Sequence, residues 1–145
     1  MSIIRGIKTL PLRMEQHQKN AFAIAKWLQE QPRVQYVLYP GLENHPGYEI
    51  NKAQTTGFGG MISFAVDSAE TARQILEGVK LIKFAESLGG TESLITYPIR
   101  QTHTDLTAEE CAEKGITDCL LRFSTGIEAT QDLIDDLAQA FAAVK

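Results

Sequence analysis

The spacing of apolar residues along the chain predicts where its helices lie. Between Met14 and Leu28 apolar residues recur at intervals of three and four, with charged residues between them. This spacing is typical of an amphipathic helix, and Pro32 marks its end. The same pattern, together with cap-like residues such as Asp67 with Glu70 and the stop signal Gly115, predicts further helices. These helices are expected over residues 48–54, 67–79, 107–114 and 130–144.

Segments rich in β-branched and aromatic residues, several of them bounded by Gly or Pro, predict strands between these helices. Five strands are expected, over residues 34–39, 61–66, 79–84, 93–97 and 120–124. Short strands separated by helices and long loops indicate an α+β domain of two layers, in which helices cover one face of a single sheet. The sequence contains no internal repeat and no linker-like segment. We therefore expect residues 1–145 to form a single domain.

Composition and charge narrow the possible functions. The 145 residues include 43% hydrophobic and 22% charged residues, which is close to the average for globular proteins. The net charge of −4 gives no basic surface for nucleic acid, and no apolar run is long enough to span a membrane. Cys111 and Cys119 do not have the spacing of a zinc site or a disulfide framework. These features favour a soluble cytoplasmic protein with two reduced thiols.

The beginning of the chain has an unusual apolar pattern. Apolar residues Ile3, Ile4, Ile7 and Leu10 stand directly before the long predicted helix. A natural terminus is usually polar and frayed, so this pattern suggests a helix cut from a longer protein.

Arg122 is a candidate binding residue because it lies within an apolar predicted strand. On a strand it shares a face with Leu120 and Ser124, while Leu121 and Phe123 point to the opposite face. A buried guanidinium needs an anionic partner, which is either an internal carboxylate or a ligand carboxylate that matches its planar fork. From the residues alone both alternatives remain open, as does an exposed position at the edge of the sheet.

Other polar residues give weaker signals. The segment Glu86 to Gly90 has two glycines in a predicted loop, which is typical of either a binding loop or a plain turn. His17, His45 and His103 have no metal-ligand spacing, so we expect no metal site and predict helix or loop surface positions for them. Neither a nucleophile elbow nor a phosphate-binding glycine motif is present.

An ordered series of motifs covers nearly the whole chain. They are RGIKTL (5–10), YPGL (39–42), GFGGMISF (57–64), ESLGG (86–90), QTH (101–103), GITD (115–118) and LRFSTGIE (121–128). With these motifs the sequence resembles the pyridoxal-phosphate (PLP) enzymes of cysteine and methionine metabolism, which include cystathionine gamma-synthase, the cystathionine lyases and the acylhomoserine sulfhydrylases. The resemblance implies the small C-terminal domain of a fold-type-I PLP enzyme, with a mainly antiparallel sheet.

The resemblance also implies what this chain lacks. Family members are nearly three times as long, and their large cofactor-binding domain has no counterpart here. Their Schiff-base lysine follows a Ser or Thr by three positions, and none of the eight lysines in this chain does so. We therefore expect no catalytic residue in this chain and no PLP bound to it alone, although the full-length enzyme would use PLP.

Four residues match substrate-binding positions of the family. The resemblance implies that Arg122 holds the α-carboxylate of the substrate and that the backbone of Ser87 helps to orient it. Thr102 matches a threonine lining the same pocket, and Glu86 matches a position near the distal end of the substrate that influences the choice among family reactions.

The substrate class and partners follow from the same resemblance. The resemblance implies that the motifs at residues 95–98 and 121–125 are closer to gamma-synthases than to lyases. Gamma-synthases replace the acyloxy group of an O-acylated homoserine with the sulfur of a thiol in methionine biosynthesis. A cystathionine beta- or gamma-lyase is the alternative within the family. A non-catalytic binding module derived from this domain, or an unrelated small-ligand domain, is the alternative outside it. The expected partners are O-acylhomoserine, cysteine or cystathionine, and further copies of the enzyme, since the family forms tetramers.

Overall fold

Residues 2–101 and 107–145 are described by a computed structural model of the chain. The predicted helices and strands occur in the predicted order, and the structure adds a short helix over residues 98–101 that the sequence did not predict. The helices are α1 (Ser2–Ile7), α2 (Leu10–Gln29), α3 (Tyr48–Gln54), α4 (Ala69–Gly78), α5 (Pro98–Gln101), α6 (Ala108–Glu113) and α7 (Thr130–Ala142). The strands are β1 (Val34–Leu38), β2 (Met61–Val66), β3 (Lys83–Phe84), β4 (Leu94–Thr96) and β5 (Leu120–Ser124).

The strands form one mixed sheet in the order β1-β2-β5-β4-β3. Strands β1, β2, β5 and β4 pair antiparallel, and only β3 pairs in parallel, with β4. The sheet is therefore mostly antiparallel, as the resemblance implied. Strand β5 lies in the middle of the sheet, so Arg122 is flanked on both sides by paired strands.

One face of the sheet carries the core. Ile62 and Phe64 of β2 lie opposite Phe123 and Leu121 of β5, and all four side chains are completely buried. The apolar stripes of the three long helices α2, α4 and α7 pack against this face. Burying a large aliphatic or aromatic side chain contributes about 1.5–3 kcal/mol, so this layer provides the main driving force for folding. The opposite face of the sheet, called the second face below, carries Ser63 and Arg122.

Two of the differences between predicted and observed element bounds have a clear physical cause. Helix α4 begins after Ser68, whose hydroxyl accepts a hydrogen bond from the amide of Thr71 at 3.0 Å. Asp67 is therefore not the cap that the sequence pattern suggested. The third strand is shorter than predicted because residues 80–82 donate their amides to the carboxylate of Asp136 on α7, which leaves only Lys83–Phe84 free to pair with β4.

The expected surface position of His17 is wrong. His17 is only 3% exposed, and its Nδ1 lies 2.6 Å from the carbonyl oxygen of Thr125. Because a carbonyl can only accept, Nδ1 carries the proton. One turn later, Nδ2 of Asn20 donates to the carbonyls of Gly126 and Glu128 at 3.0 and 2.9 Å. Strand β5 ends two residues after Arg122, and helix α2 fixes the turn that follows it.

Within the described residues, no helix combines the length and the apolar composition that crossing a membrane requires.

Candidate functional site

Arg122 lies at the centre of the second face of the sheet. Register places it directly between Ser63 of β2 and Thr96 of β4. Its neighbours Leu121 and Phe123 are fully buried on the core face, which confirms the predicted alternation along β5. The arginine itself is half-buried. Its charged group therefore points away from the core, toward the open side of the sheet.

The guanidinium of Arg122 contacts neutral oxygen atoms. Its Nη2 donates to the carbonyl oxygen of Glu86 at 2.9 Å and to Oγ1 of Thr96 at 3.3 Å. Among the described residues, the two ion pairs are Arg33–Asp67 and Arg73–Glu70, so no acidic side chain described here balances the charge of Arg122. An internal ion pair, one of the alternatives left open by the sequence, is thus not observed for these residues. The N–H groups on Nε and Nη1 can still donate to an anion.

The loop over residues 86–90 lies against Arg122 through its backbone. The carbonyl of Glu86 accepts from Arg122, and the amide of Gly89 donates to Oγ of Ser124 at 2.9 Å. Gly89 has a φ of +73°, a conformation that favours glycine. At the start of the loop, Oγ1 of Thr96 donates to the carbonyl of Ala85 at 2.8 Å. The loop predicted as either a binding loop or a plain turn is therefore bound to the strand that carries Arg122.

The structure brings three of the four predicted site residues together. Glu86 and Ser87 are exposed, and both belong to the loop whose backbone contacts the guanidinium of Arg122. Thr102 lies outside the described residues, so its predicted place in the same pocket stays a prediction.

Thr96 and Ser124 belong to this site, but sequence reasoning did not select them. Both are almost completely buried on the second face of the sheet, and both hold the loop by hydrogen bonds. Alternation along β5 already placed Ser124 on the face of Arg122. The position of Thr96 depends on the pairing of β4 with β5, which no local pattern in the sequence specifies.

The cysteine closest to this sheet is not a candidate nucleophile. Burial, and next the contact with Asp118, raise the pKa of the Cys119 thiol. A raised pKa keeps the sulfur protonated near neutrality, whereas a reactive cysteine needs the thiolate. Nearby, Tyr97 donates to the carbonyl of Asp118 at 2.6 Å, and burial is the main cause that raises its pKa. These groups act here as hydrogen-bond partners and not as acids or bases.

The lysines of this chain do not fit covalent binding of an aldehyde cofactor. A lysine that forms a Schiff base must be held in an enclosed site, where desolvation lowers its pKa. All eight lysines are exposed. Two grooves of about 510 and 590 Å³, one beside Arg73 and one beside Phe22, are lined by residues other than Arg122.

The sequence matches the profile of the Cys/Met metabolism PLP-dependent enzymes over residues 1–142. The chain belongs to this family. Its relatives within this PLP-dependent family include a cystathionine gamma-lyase from Dictyostelium discoideum, 53% identical over 94% of this chain and 36% of the relative. A cystathionine gamma-synthase from Haemophilus influenzae is 51% identical over 98% of this chain and 34% of the relative.

The fold agrees with this assignment. A crystal structure of cystathionine gamma-synthase from Xanthomonas oryzae pv. oryzae, in complex with aminoacrylate and cysteine, matches 95% of this chain with a TM-score of 0.91 and 45% identity. The match covers 36% of that chain. This PLP-family chain therefore spans about a third of the length of these relatives.

Proposed function

We propose that this chain is the substrate-carboxylate-binding domain of a PLP-dependent enzyme that acts on sulfur-containing amino acids or their precursors. The observation that supports the proposal is the guanidinium of Arg122, which lies on the open face of the sheet with only neutral oxygens as described partners. An α-amino acid brings a carboxylate that matches this charge. The remaining N–H groups of Arg122 donate to that carboxylate in charge-assisted hydrogen bonds.

The loop gives the site its shape. In this proposal the backbone at Ser87 helps to orient the carboxylate, and Thr102 lines the same pocket. The side chain of Glu86 is exposed while its carbonyl is bound to Arg122, which leaves the carboxylate of Glu86 free to face the distal end of the substrate. This position is suited to influence which reaction the enzyme performs.

In this proposal, PLP binds to the part of the enzyme that lies outside this chain. When bound there, PLP supplies the electron-withdrawing chemistry on which bond cleavage at the substrate depends. The residues of this chain bind and orient the amino acid. Self-assembly into a homo-oligomer is part of the same proposal, since the chain presents apolar surface outside its core.

For the reaction itself we propose gamma-replacement on an O-acylated homoserine, as in a cystathionine gamma-synthase. The motifs at residues 95–98 and 121–125 support this choice, together with the relative from Haemophilus influenzae. A cystathionine gamma-lyase is the second candidate, favoured by the 53% identical relative from Dictyostelium discoideum.

A domain graft tests the proposal. The matched 142 residues of the Haemophilus influenzae cystathionine gamma-synthase are replaced by this chain. We expect the graft to bind PLP, to turn over an amino-acid substrate and to distinguish the two reactions by its product, which is cystathionine for the synthase and a keto acid with ammonia for the lyase. A graft that folds and binds PLP but turns over neither O-acylhomoserine nor cystathionine would contradict the proposal.

A further inference from the structure

Two side chains of β5 hold the 86–90 loop, and they lie two residues apart on the same face. Arg122 donates to the carbonyl of Glu86 at 2.9 Å, and Ser124 accepts from the amide of Gly89 at 2.9 Å. These contacts span the loop from its first residue to its fourth. The conformation of the loop above the guanidinium therefore depends on both.

Packing contributes little to the position of this loop. The side chains of Glu86, Ser87 and Leu88 are exposed, and Leu88 is 54% exposed despite being apolar. At φ = +73° Gly89 has a backbone shape that few other residues adopt, and a Cβ built on it meets nothing within 4 Å. Hydrogen bonds to the sheet, and not side-chain burial, fix the loop in this conformation.

The two contacts differ in what a substrate does to them. In the proposed function, the guanidinium of Arg122 binds the carbonyl of Glu86 through Nη2 and the substrate carboxylate through its remaining N–H groups, so the ligand and the loop share this side chain. Ser124 is only 3% exposed, and its hydroxyl is bound to Gly89. A ligand on Arg122 leaves this second contact in place.

We propose that Ser124 is a positioning residue of the carboxylate site, holding Gly89, and with it the 86–90 loop, above Arg122 while the arginine binds the substrate. This inference rests on the proposed function of Arg122. The role is one of geometry, because Ser124 acts on the substrate only through the loop. Its loss should weaken substrate binding more than turnover.

Ser124→Ala tests the contact itself on the 145-residue chain. The substitution removes the acceptor without adding volume, so the amide of Gly89 loses its partner. Ser63→Ala is the matched control, because Ser63 faces the same side of the sheet opposite Arg122, and no hydrogen bond of its side chain occurs among the described residues. We expect amide exchange at Gly89 to accelerate about 10-fold or more in Ser124→Ala and to stay unchanged in Ser63→Ala. Equal exchange rates in the two variants would overturn the proposal.

The effect of Ser124→Ala on catalysis is measured in the domain graft. We expect Ser124→Ala to raise KM for the amino-acid substrate about 3- to 10-fold, the loss of one neutral hydrogen bond, with kcat within about twofold of the unsubstituted graft. Gly89→Ala, which strains the loop from its exposed side, should shift KM in the same direction if Ser124→Ala does not fold. An unchanged KM despite faster exchange at Gly89 would overturn the positioning role. Failure of the proposed function would instead show as normal kcat/KM in Arg122→Ala.

Discussion

Tyr39 follows β1 directly and is a buried ionisable residue. Its ring is completely buried, and its hydroxyl donates to the carbonyl of Gly59 at 2.9 Å. Burial raises the pKa of Tyr39 from 10.0 to about 12, because the phenolate would lose its hydration. The unfolded chain therefore releases this proton at a lower pH than the folded chain. Between these two pKa values the folded state binds more protons, so its stability falls as the pH rises.

Substitution of Tyr39 by Phe should make this contribution visible. Tyr39→Phe loses the bond to Gly59 at neutral pH and is expected to be less stable than the parent by about 0.5–1.5 kcal/mol. This difference should shrink between pH 10 and 12. In that range the free energy of unfolding of the parent falls, because its unfolded state releases the Tyr39 proton, whereas the Phe variant has no such proton. Urea unfolding of both proteins at several pH values measures it. A difference that stays constant up to pH 12 would show that Tyr39 does not titrate as described.

Local sequence patterns reveal which way a side chain points, but not what it meets. Alternation along β5 correctly placed Arg122 opposite the core. Its partners Glu86 and Thr96 lie 36 and 26 positions away in the sequence, so their contact depends on the pairing of distant strands. His17 was predicted at the surface because an isolated histidine on a helix is usually exposed. Its burial follows from a bond to Thr125, 108 positions away.

Helix α7 supports the segment before β3 through a single carboxylate. Asp136 is 7% exposed and accepts from the amides of Lys80, Leu81 and Ile82 at 2.9–3.1 Å. Buried amides without partners are costly, so this carboxylate replaces the strand partner that these residues lack. It also sets the direction in which the chain enters β3 and then the 86–90 loop.

Asp136→Asn should destabilise the domain. An amide group offers one oxygen in place of two, and its NH₂ group faces backbone N–H donors. We expect the free energy of unfolding to fall by about 1–3 kcal/mol. Asp135→Asn makes the same chemical change at the neighbouring exposed position and should change stability by about 0.5 kcal/mol or less. Equal losses of unfolding free energy in the two variants would indicate an effect of net charge instead of the lost hydrogen bonds between Asp136 and residues 80–82.

The hydrogen bonds of Asp136 also help to explain why the sequence predicts some strands better than others. The bounds of β2 and β5 agree with the prediction because both are interior strands of the sheet and most of their residues are apolar. For β3 the apolar residues Val79, Leu81 and Ile82 indicated a longer strand. The amides of residues 80–82 bind Asp136, so tertiary contacts override the local preference. A local pattern cannot reveal a contact that depends on a helix more than 50 positions away.

The chain as a whole presents apolar surface at its beginning. Ile3, Ile4 and Leu12 are 78%, 69% and 70% exposed, and they lie on α1 and the first turn of α2. On the second face of the sheet Tyr36 and Leu38 are also exposed. Apolar surface of this kind is typical of a protein interface. The sequence already indicated it through the apolar pattern before the long helix.

We therefore expect the 145-residue chain to self-associate. Light scattering at increasing concentration should give a mass above that of the 16.0 kDa monomer, with binding of a hydrophobic dye. The double variant Ile4→Lys, Leu12→Lys should reduce both signals. Ile50→Lys, at an exposed position on α3, serves as the control and should leave them unchanged. A strict monomer at high concentration with little dye binding would contradict this prediction.

The chain alone should not form a specific Schiff base with PLP. All eight lysines are exposed, and none has the family's Ser or Thr three positions earlier. Borohydride reduction followed by peptide mass spectrometry should find labelling spread over several lysines at a low level. One stoichiometric adduct on a single lysine would show that this chain carries a cofactor site of its own.

Arg122→Ala in the domain graft provides the decisive measurement. Losing a charge-assisted contact to the substrate carboxylate should cost about 2–5 kcal/mol, which lowers kcat/KM by a factor of about 30 to several thousand. The absorption band of bound PLP should remain, because the resting enzyme does not use this contact. Arg122→Lys should recover only part of the loss, since an ammonium lacks the planar fork. Near-normal kcat/KM of Arg122→Ala for both O-acylhomoserine and cystathionine would contradict the assignment of Arg122 as the residue that binds the substrate carboxylate.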